Sequence, residues 1–503
     1  MPLPTLSEFA AKSVGQGLLN ETISLDFPLD TKCSNAIVRE VLKLDGASFK
    51  DLEVHKNQLS VSKIDFSCCK VDAEGVKNLI NFDLDSLDFG EMMQLRNASP
   101  DDSREDSLDI VSLLTQSLND YSRKSMIHLG LPYHEFMEGW EEEVSKMFPS
   151  LQSMNMPSTV FDQQLHFSNF CTCFSNLLAL DISCAFYLPS LQGIKHIRNL
   201  QKLSMSYVDF DDINGYKELS DLKSLKYLDV SGTDVMLHDN DTNSIRNLLA
   251  AGVRMEALEF LDCSNSSVTE LELRSFVKTH PSLRTIVAMC TPCNQSTIPG
   301  IKVLNASSMS AISDSLSYLL LTDQIDMSSD FMKEVFQKLK TNQGNLEISE
   351  LRHARRSLQF VLKESTDEED KFWSAAWYLE SGILEHELSN SSLSTEILHM
   401  IEPLYNAFNA VMMNEKREGY VQFVFRMFEA VVNALAPGIL IPDSVLDFIF
   451  EKTLDLVDGF PEYESEEIKI VTQIGKWISG DDYQNMCTNF EFYGKIQNYL
   501  NTM

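Results

Sequence analysis

Along the first 300 residues one hydrophobic phrase keeps returning: an apolar position, two variable ones, an apolar one, a variable one and a third apolar one. It reads Leu151-Met154-Met156, Leu177-Leu180-Ile182, Leu200-Leu203-Met205, Leu225-Leu228-Val230, Leu258-Leu261-Cys263 and Leu283-Ile286-Ala288. The first positions are 26, 23, 25, 33 and 25 residues apart, which is the period of leucine-rich repeats. Weaker copies stand at Val61-Ile64-Phe66 and Leu84-Leu87-Phe89. Each copy predicts a short strand with alternate side chains turned inward, then a helical or irregular return. One such unit cannot bury its apolar edge alone, so the units must stack. Between the weak and the strong copies, the polar stretch from Asn97 to Asp106 reads as an inserted loop. A helix over Leu108–Leu118 and a strand at Ile127–Leu129 follow it.

Ahead of the repeats, residues 1–20 predict an amphipathic helix whose Leu6, Phe9, Ala10, Val14 and Leu18 recur at three-to-four spacing and build one exposed apolar stripe. A second helix is expected over Ser34–Leu44. After about residue 305 the strand phrase stops and helical periodicity takes over. Helices are predicted at Ala311–Leu321, Phe331–Leu339, Leu351–Leu362, Phe372–Leu384, Thr395–Met413, Tyr420–Leu435, Asp443–Val457, Glu466–Ile478 and Phe490–Leu500. The Tyr420 helix is apolar on nearly every side and must be covered all round. A covered helix among shorter amphipathic ones is what an armadillo-type superhelix requires, with a single globular helical domain as the alternative. The expected fold is an α/β leucine-rich-repeat solenoid followed by an all-α armadillo-like helical solenoid. The expected divisions are residues 1–45, 46–304 and 305–503.

Charge narrows the choice of partner. The chain carries 41 basic and 74 acidic residues, a formal net charge of −33, which disfavours nucleic acid and anionic lipid and favours a basic or neutral protein. No secretory signal or membrane span is expected, and ten scattered cysteines suit a reducing compartment, so the cytoplasm or nucleus is the expected location. Candidate chemistry is sparse. There is no phosphate-binding loop and no paired metal-ligand motif, so neither a cofactor nor a metal is expected and the chain reads as a non-enzyme. Cys290-Thr-Pro-Cys293 has redox spacing, and a thiol-redox role there predicts a depressed thiolate pKa. The competing reading is two small residues at a repeat turn.

Two N-terminal features exceed what a scaffold needs. After Thr5, the residues Leu6, Ala10 and Val14 stand one helical turn apart, with small Ala10 and Ala11 permitting close approach and Leu6 placed to anchor in a pocket. A helical cap over the first repeat would use the same spacing. The second feature is Phe27-Pro28, between the two predicted helices.

In this order the segments resemble the Zyg-eleven/Zer-one family of cullin-two substrate receptors. The Thr5-Leu6…Ala10…Val14 stretch is similar to the box that binds elongin C, whose usual form has cysteine where Ala10 stands. Phe27-Pro28 resembles the start of a cullin-two box. Thr279-His280-Pro281-Ser282-Leu283-Arg284 resembles the family's junction between repeats and helices. The resemblance implies a non-catalytic subunit that recruits proteins to a cullin–RING ubiquitin ligase, with elongin C (and elongin B), cullin-two and a protein substrate as partners. Family members that read an N-terminal glycine carry Trp-Asn-Leu-Thr-Asp-Glu in the helical region. Here the nearest match is Trp377-Tyr378-Leu379-Glu380-Ser381, lacking the asparagine and the first acid. Trp377 and Glu380 are therefore substrate-contact candidates without that specificity. The alternative is a leucine-rich-repeat scaffold with no ligase association, whose first helix is only a cap.

Overall fold

A computed structural model of the protein describes residues 6–67, 69, 73–90, 108–132, 136–161, 167–186, 188–208, 213–232, 243–322, 331, 348–364, 368–389, 397–415, 421–434, 443–478, 495 and 499. Backbone contacts divide the chain into two compact units, Met1–Val303 and Leu304–Met503.

The first unit is built on one sheet of ten three-residue strands that neighbour one another in chain order. These are β1 (Lys63–Asp65), β2 (Ser86–Asp88), β3 (His128–Gly130), β4 (Ser153–Asn155), β5 (Ala179–Asp181), β6 (Lys202–Ser204), β7 (Tyr227–Asp229), β8 (Phe260–Asp262), β9 (Thr285–Val287) and β10 (Lys302–Leu304). From β1 to β9 every pairing is parallel and in the same register, so Ile64, Leu87, Leu129, Met154, Leu180, Leu203, Leu228, Leu261 and Ile286 form one row. All nine are at most 3% exposed. This is a parallel solenoid, one strand per turn. The middle position of each phrase is the strand centre, and its two outer apolar positions wedge the chain onto the same core. Returns run through helices such as α3 (Trp140–Met147), α4 (Phe167–Cys173), α5 (Ser244–Ala250) and α6 (Glu270–Thr279). Trp140, Phe161, Phe167, Phe170 and Phe174 fill the return side of the middle turns with ring centroids 4.9 to 6.2 Å apart.

Strand ends repeat one device. Asp65, Asp88, Asp181, Asp229 and Asp262 each accept a hydrogen bond from the backbone N–H two residues on, at 2.8 to 3.0 Å. This Asx turn stops the strand and aims the chain into its return. Three residues past the strand end, Ser158, Cys184, Tyr207, Gly232, Asn265 and Cys290 all adopt positive φ. The N–H groups of Ser158, Cys184, Tyr207, Gly232 and Asn265 donate to the next turn at 2.7 to 2.8 Å. Most of these residues carry a side chain in a conformation that disfavours one, and the hydrogen-bonded row holds them there. Gly232 is the position where close approach demands glycine: a Cβ would lie 2.4 Å from the Tyr207 ring.

In the second unit, α7 (Met309–Leu321), α8 (Ile348–Glu364), α9 (Glu368–Glu380), α10 (Ile383–Ser389), α11 (Ile401–Glu415), α12 (Val421–Asn433), α13 (Asp443–Gly459) and α14 (Glu464–Ile478) are helices. The helix expected over Phe372–Leu384 is broken at Gly382, where φ is +73°. The Tyr420 helix, α12, buries seven side chains from Val421 to Val432, but Gln422, Arg426 and Glu429 form an exposed polar edge. It is covered on a wide face, not all round. The helix expected at Phe331–Leu339 lies outside the described residues beyond Phe331, and Phe490–Leu500 outside them except Lys495 and Tyr499.

Candidate partner-binding face at the N-terminal helix pair

Helix α1′ (Leu6–Leu19) packs on α2′ (Thr31–Leu44), the pair that precedes β1. Asp30 caps α2′ by accepting from the Cys33 N–H at 2.8 Å, which satisfies an otherwise orphaned donor. One face of α2′ buries Ile37, Val38, Val41 and Leu42. Its first turn is stitched to the sheet: Ser34 Oγ accepts from Ser60 N–H, and Asn35 Oδ1 accepts from the N–H groups of Ser62 and Lys63, at 2.9 to 3.2 Å. The pair therefore covers the open edge of the first strand, as an exposed row of backbone groups requires.

That packing splits the apolar stripe of α1′ in two. Ala11 and Leu18 are buried, at 5% and 8% exposure. Gly15 lies against Val41 and the backbone of Ile37, where a Cβ would stand 3.4 to 3.6 Å away. Ala10 is exposed, and Val14 is half-buried at the boundary. Two expectations are thereby corrected. Leu18 is not part of an exposed stripe, and the close approach permitted by Ala11 is used by α2′ within the chain. Thr5 lies outside the described residues, as does the side chain of Leu6. The segment after the helix turns back through Gly17, whose carbonyl accepts from Thr22 N–H and Ile23 N–H at 2.8 and 3.1 Å. Beyond it Phe27 is 65% exposed and Pro28 is exposed. A single exposed phenylalanine is ordinary on a protein surface, and it offers an apolar contact to a partner.

The spacing of residues did not reveal a neighbouring hollow of about 400 Å³, lined by Leu18, Leu19, Ile23, Leu52 and Val54. Val54 is 80% and Ile23 39% exposed on its rim. Neither belongs to a helical stripe or a repeat phrase, so no periodicity signalled them.

In the helical unit Trp377 and Glu380 are both half-buried, one turn apart on α9. Trp377 stacks on Trp373 with centroids 6.0 Å apart and planes 27° from parallel, and Trp373 is 37% exposed. The pair makes an aromatic step, half in water. Trp373 sits one turn ahead of the residues that drew attention to Trp377.

Two groups of side chains have the residue types of a catalytic site, the cysteines of the last repeats and His128 with Ser153 and Asp88. Burial, aided by Glu270, pushes the Cys293 thiol up to about 11, and Cys263 also rises well above its ordinary value through burial. The redox reading needs the opposite direction, so the burial of Cys293 counts against it. On the sheet, His128 Nδ1 lies 2.9 Å from Ser153 Oγ, but its Nε2 is 3.9 Å from Asp88. That is too long for the hydrogen bond that orients a catalytic imidazole. Asp88 instead takes Asn155 Nδ2 at 3.1 Å and the Gly90 N–H at 3.0 Å. Burial alone would raise its pKa. These donors together with His128 outweigh that and lower it. Among the described residues no cluster of three or more His, Cys, Asp or Glu side chains could hold a metal ion. No described helix is long and apolar enough to cross a membrane.

No family model matches the chain. Over 300 residues, 59% of this chain, it is 25% identical to gastrulation-defective protein 3 of Caenorhabditis elegans. The match spans 42% of that relative's length. Among solved structures, the crystal structure of a TLR13–ssRNA13 complex aligns with 47% of this chain and 30% of that one, at a TM-score of 0.32 and 15% identity. The crystal structure of the Rad7 and Elc1 complex in yeast aligns with 60% of this chain and 94% of that one, at a TM-score of 0.28 and 13% identity. Similarity at those scores bears on neither function nor assembly.

Proposed function

We propose that the protein is a non-catalytic substrate-recognition subunit of a cullin-two/elongin RING ubiquitin ligase, acting in the cytoplasm or nucleus. The observation that carries this is the division of labour on α1′. Ala11, Gly15 and Leu18 are used inside the chain, while Ala10 faces solvent with Val14 beside it. A small residue on the outer edge leaves room for a partner helix to approach closely, while in a cap helix alanine would serve by its propensity alone. Elongin C, with elongin B, would take the edge formed by Thr5, Leu6, Ala10 and Val14, and cullin-two would meet Phe27 and Pro28. The helical unit, read as armadillo-like, would hold the substrate, with the Trp377 step and Glu380 as its contacts. The ligase then gains rate by proximity, holding substrate lysines near the charged conjugating enzyme.

The direct test is binding of purified chain to an elongin B–C complex, wild type against Ala10→Asp. The outer-edge substitution should abolish binding and lower the melting temperature by no more than about 2 °C, because an exposed helical Ala→Asp costs only about 0.5 kcal/mol. Absence of wild-type binding, or binding that survives Ala10→Asp, would remove the reading. The scaffold alternative draws on the same packing, since Ala11 and Leu18 are buried as the residues of a cap would be. It predicts a folded protein with no affinity for elongin C.

A further inference from the structure

The face of the sheet turned away from the core carries a second surface, unrelated to the N-terminal helices. On β6, β7 and β8 the residues preceding the strand centres are Lys202, Tyr227 and Phe260, side by side in register. Tyr227 and Phe260 stack at 4.7 Å with planes 9° apart, and Lys202 Nζ stands 4.9 Å from the Tyr227 ring centre. Both rings are half-buried, and Lys202 is exposed. One residue earlier on each turn runs a second row. The N–H groups of Lys226 and Tyr227 donate to Gln201 O, those of Glu259 and Phe260 to Lys226 O, and those of Arg284 and Thr285 to Glu259 O. Gln201, Lys226, Glu259 and Arg284 therefore stand at strand spacing, about 4.8 Å apart, and all are exposed.

These two rows oppose the character of the whole chain. Across positions 201–202, 226–227, 259–260 and 284–285 there are three cations, Lys202, Lys226 and Arg284, against one anion, Glu259. The chain as a whole has 41 basic to 74 acidic residues. Acids do lie two residues further on, on the same face by strand alternation, yet they are buried. Asp229 is 3% exposed and accepts from Ser204 Oγ and the Ser231 N–H, and Asp262 is fully buried on the Ser264 N–H. What a partner meets is the edges of two stacked rings, flanked by positive charge.

We infer that this strip docks an acidic, extended segment of a partner protein that carries an aromatic or large apolar side chain. The apolar side chain would lie against the outer edges of the Tyr227–Phe260 stack, and flanking carboxylates would meet Lys202 and Arg284, while Lys226 Nζ lies 3.9 Å from Glu259. Rings of this kind give contact area at little conformational cost, and the surrounding charges select sign and speed encounter. A nucleic acid would also seek cations and stack on rings. Yet Phe260 and Lys202, on the two neighbouring strands, already cover the faces of Tyr227, so a base finds no open face there to stack on, which favours the peptide. The surface stands apart from the ligase reading, and its test contains no ligase component.

The probe is a fluorescein-labelled nonapeptide of alternating glutamate and aspartate around one central tryptophan, titrated with the full chain and followed by anisotropy. The expected result is saturable binding that weakens with salt, falls at least about tenfold in Lys202→Glu/Arg284→Glu, and tightens several-fold in Glu259→Lys. The last variant guards against misfolding, since a damaged protein does not gain affinity. Three results would overturn the inference: no binding of the acidic probe, affinity indifferent to both variants, or stronger binding of a fluorescein-labelled nonamer of oligouridine through the same residues.

Discussion

Replacing Gly232 by alanine measures how much the left-handed row along the strand ends contributes. Gly232 has φ +69°, and a Cβ there would lie 2.4 to 2.6 Å from three atoms of the Tyr207 ring. Holding alanine in that backbone region costs about 1 kcal/mol. The ring must also swing away, which breaks the 3.0 Å hydrogen bond that Asn265 Nδ2 donates to Tyr207 Oη and costs roughly another 0.5–1.5 kcal/mol. The sum, about 2 kcal/mol, corresponds to a fall of roughly 4–8 °C in the melting temperature on the scale of a 150–250-residue domain. In a Tyr207→Ala background the ring is gone, so the same substitution should cost only the backbone share, about 1 kcal/mol. Denaturant unfolding of the wild type, both single variants and the double variant gives the cycle. A coupling near zero would refute the account of the close approach, and so would a neutral Gly232→Ala.

Three further outcomes follow from buried polar groups and the aromatic step. In the helical unit Glu387 is fully buried, accepts from the Tyr378 hydroxyl, and lies 3.5 Å from Arg355, which is itself 3% exposed. Glu387→Ala should destabilise by about 3–5 kcal/mol, while the triple change Arg355→Met, Glu387→Leu, Tyr378→Phe should recover most of the loss. Equal denaturation midpoints for the single and triple variants would contradict this. His280 is 1% exposed, stacks on Phe276 at 3.8 Å, and has Nδ1 2.8 Å from Phe276 O. Burial lowers its pKa against the opposing pull of that carbonyl. Its folded pKa thus lies below the unfolded value near 6.5, so its contribution is full above that pH and is lost as pH falls. The melting-temperature gap between wild type and His280→Phe should therefore move against the wild type from about pH 7 to about pH 5. Burial raises Asp181 and Asp229, which acts in the other sense but is common to both proteins. Trp377→Ala should weaken capture of a substrate, once one is in hand, and leave elongin binding unchanged in a pull-down.

Much of the solenoid was legible because the phrase is a direct imprint of packing. Leu180, Leu203, Leu228, Leu261 and Ile286 are strand centres because each stands between two other apolar residues that the same core needs. Strand β3 obeys the phrase through Met126, Leu129 and Leu131, yet a 42-residue interval from Leu84 separates it from the regular spacing. Strand β10 was not legible. Gly300 and Asn305 occupy the outer positions around Val303, and Asn305 supplies the turn instead, accepting from the Ser307 N–H at 3.0 Å. The aspartate two residues before a serine or glycine was a readable turn signal that apolar counting passed over. At the N-terminus, spacing identified a stripe but not which edge α2′ would cover, because Ala10 and Ala11 differ only in what packs against them. The face of Tyr227 and Phe260 was hidden for a related reason: variable positions acquire meaning only when successive turns are laid in register.

The central claim is tested most directly by size-exclusion chromatography of the purified full chain with elongins B and C and cullin-two. The account predicts one co-eluting four-protein complex for the wild type. Phe27→Asp should release cullin-two and retain the elongins. A monodisperse wild type that elutes free of all three would contradict it.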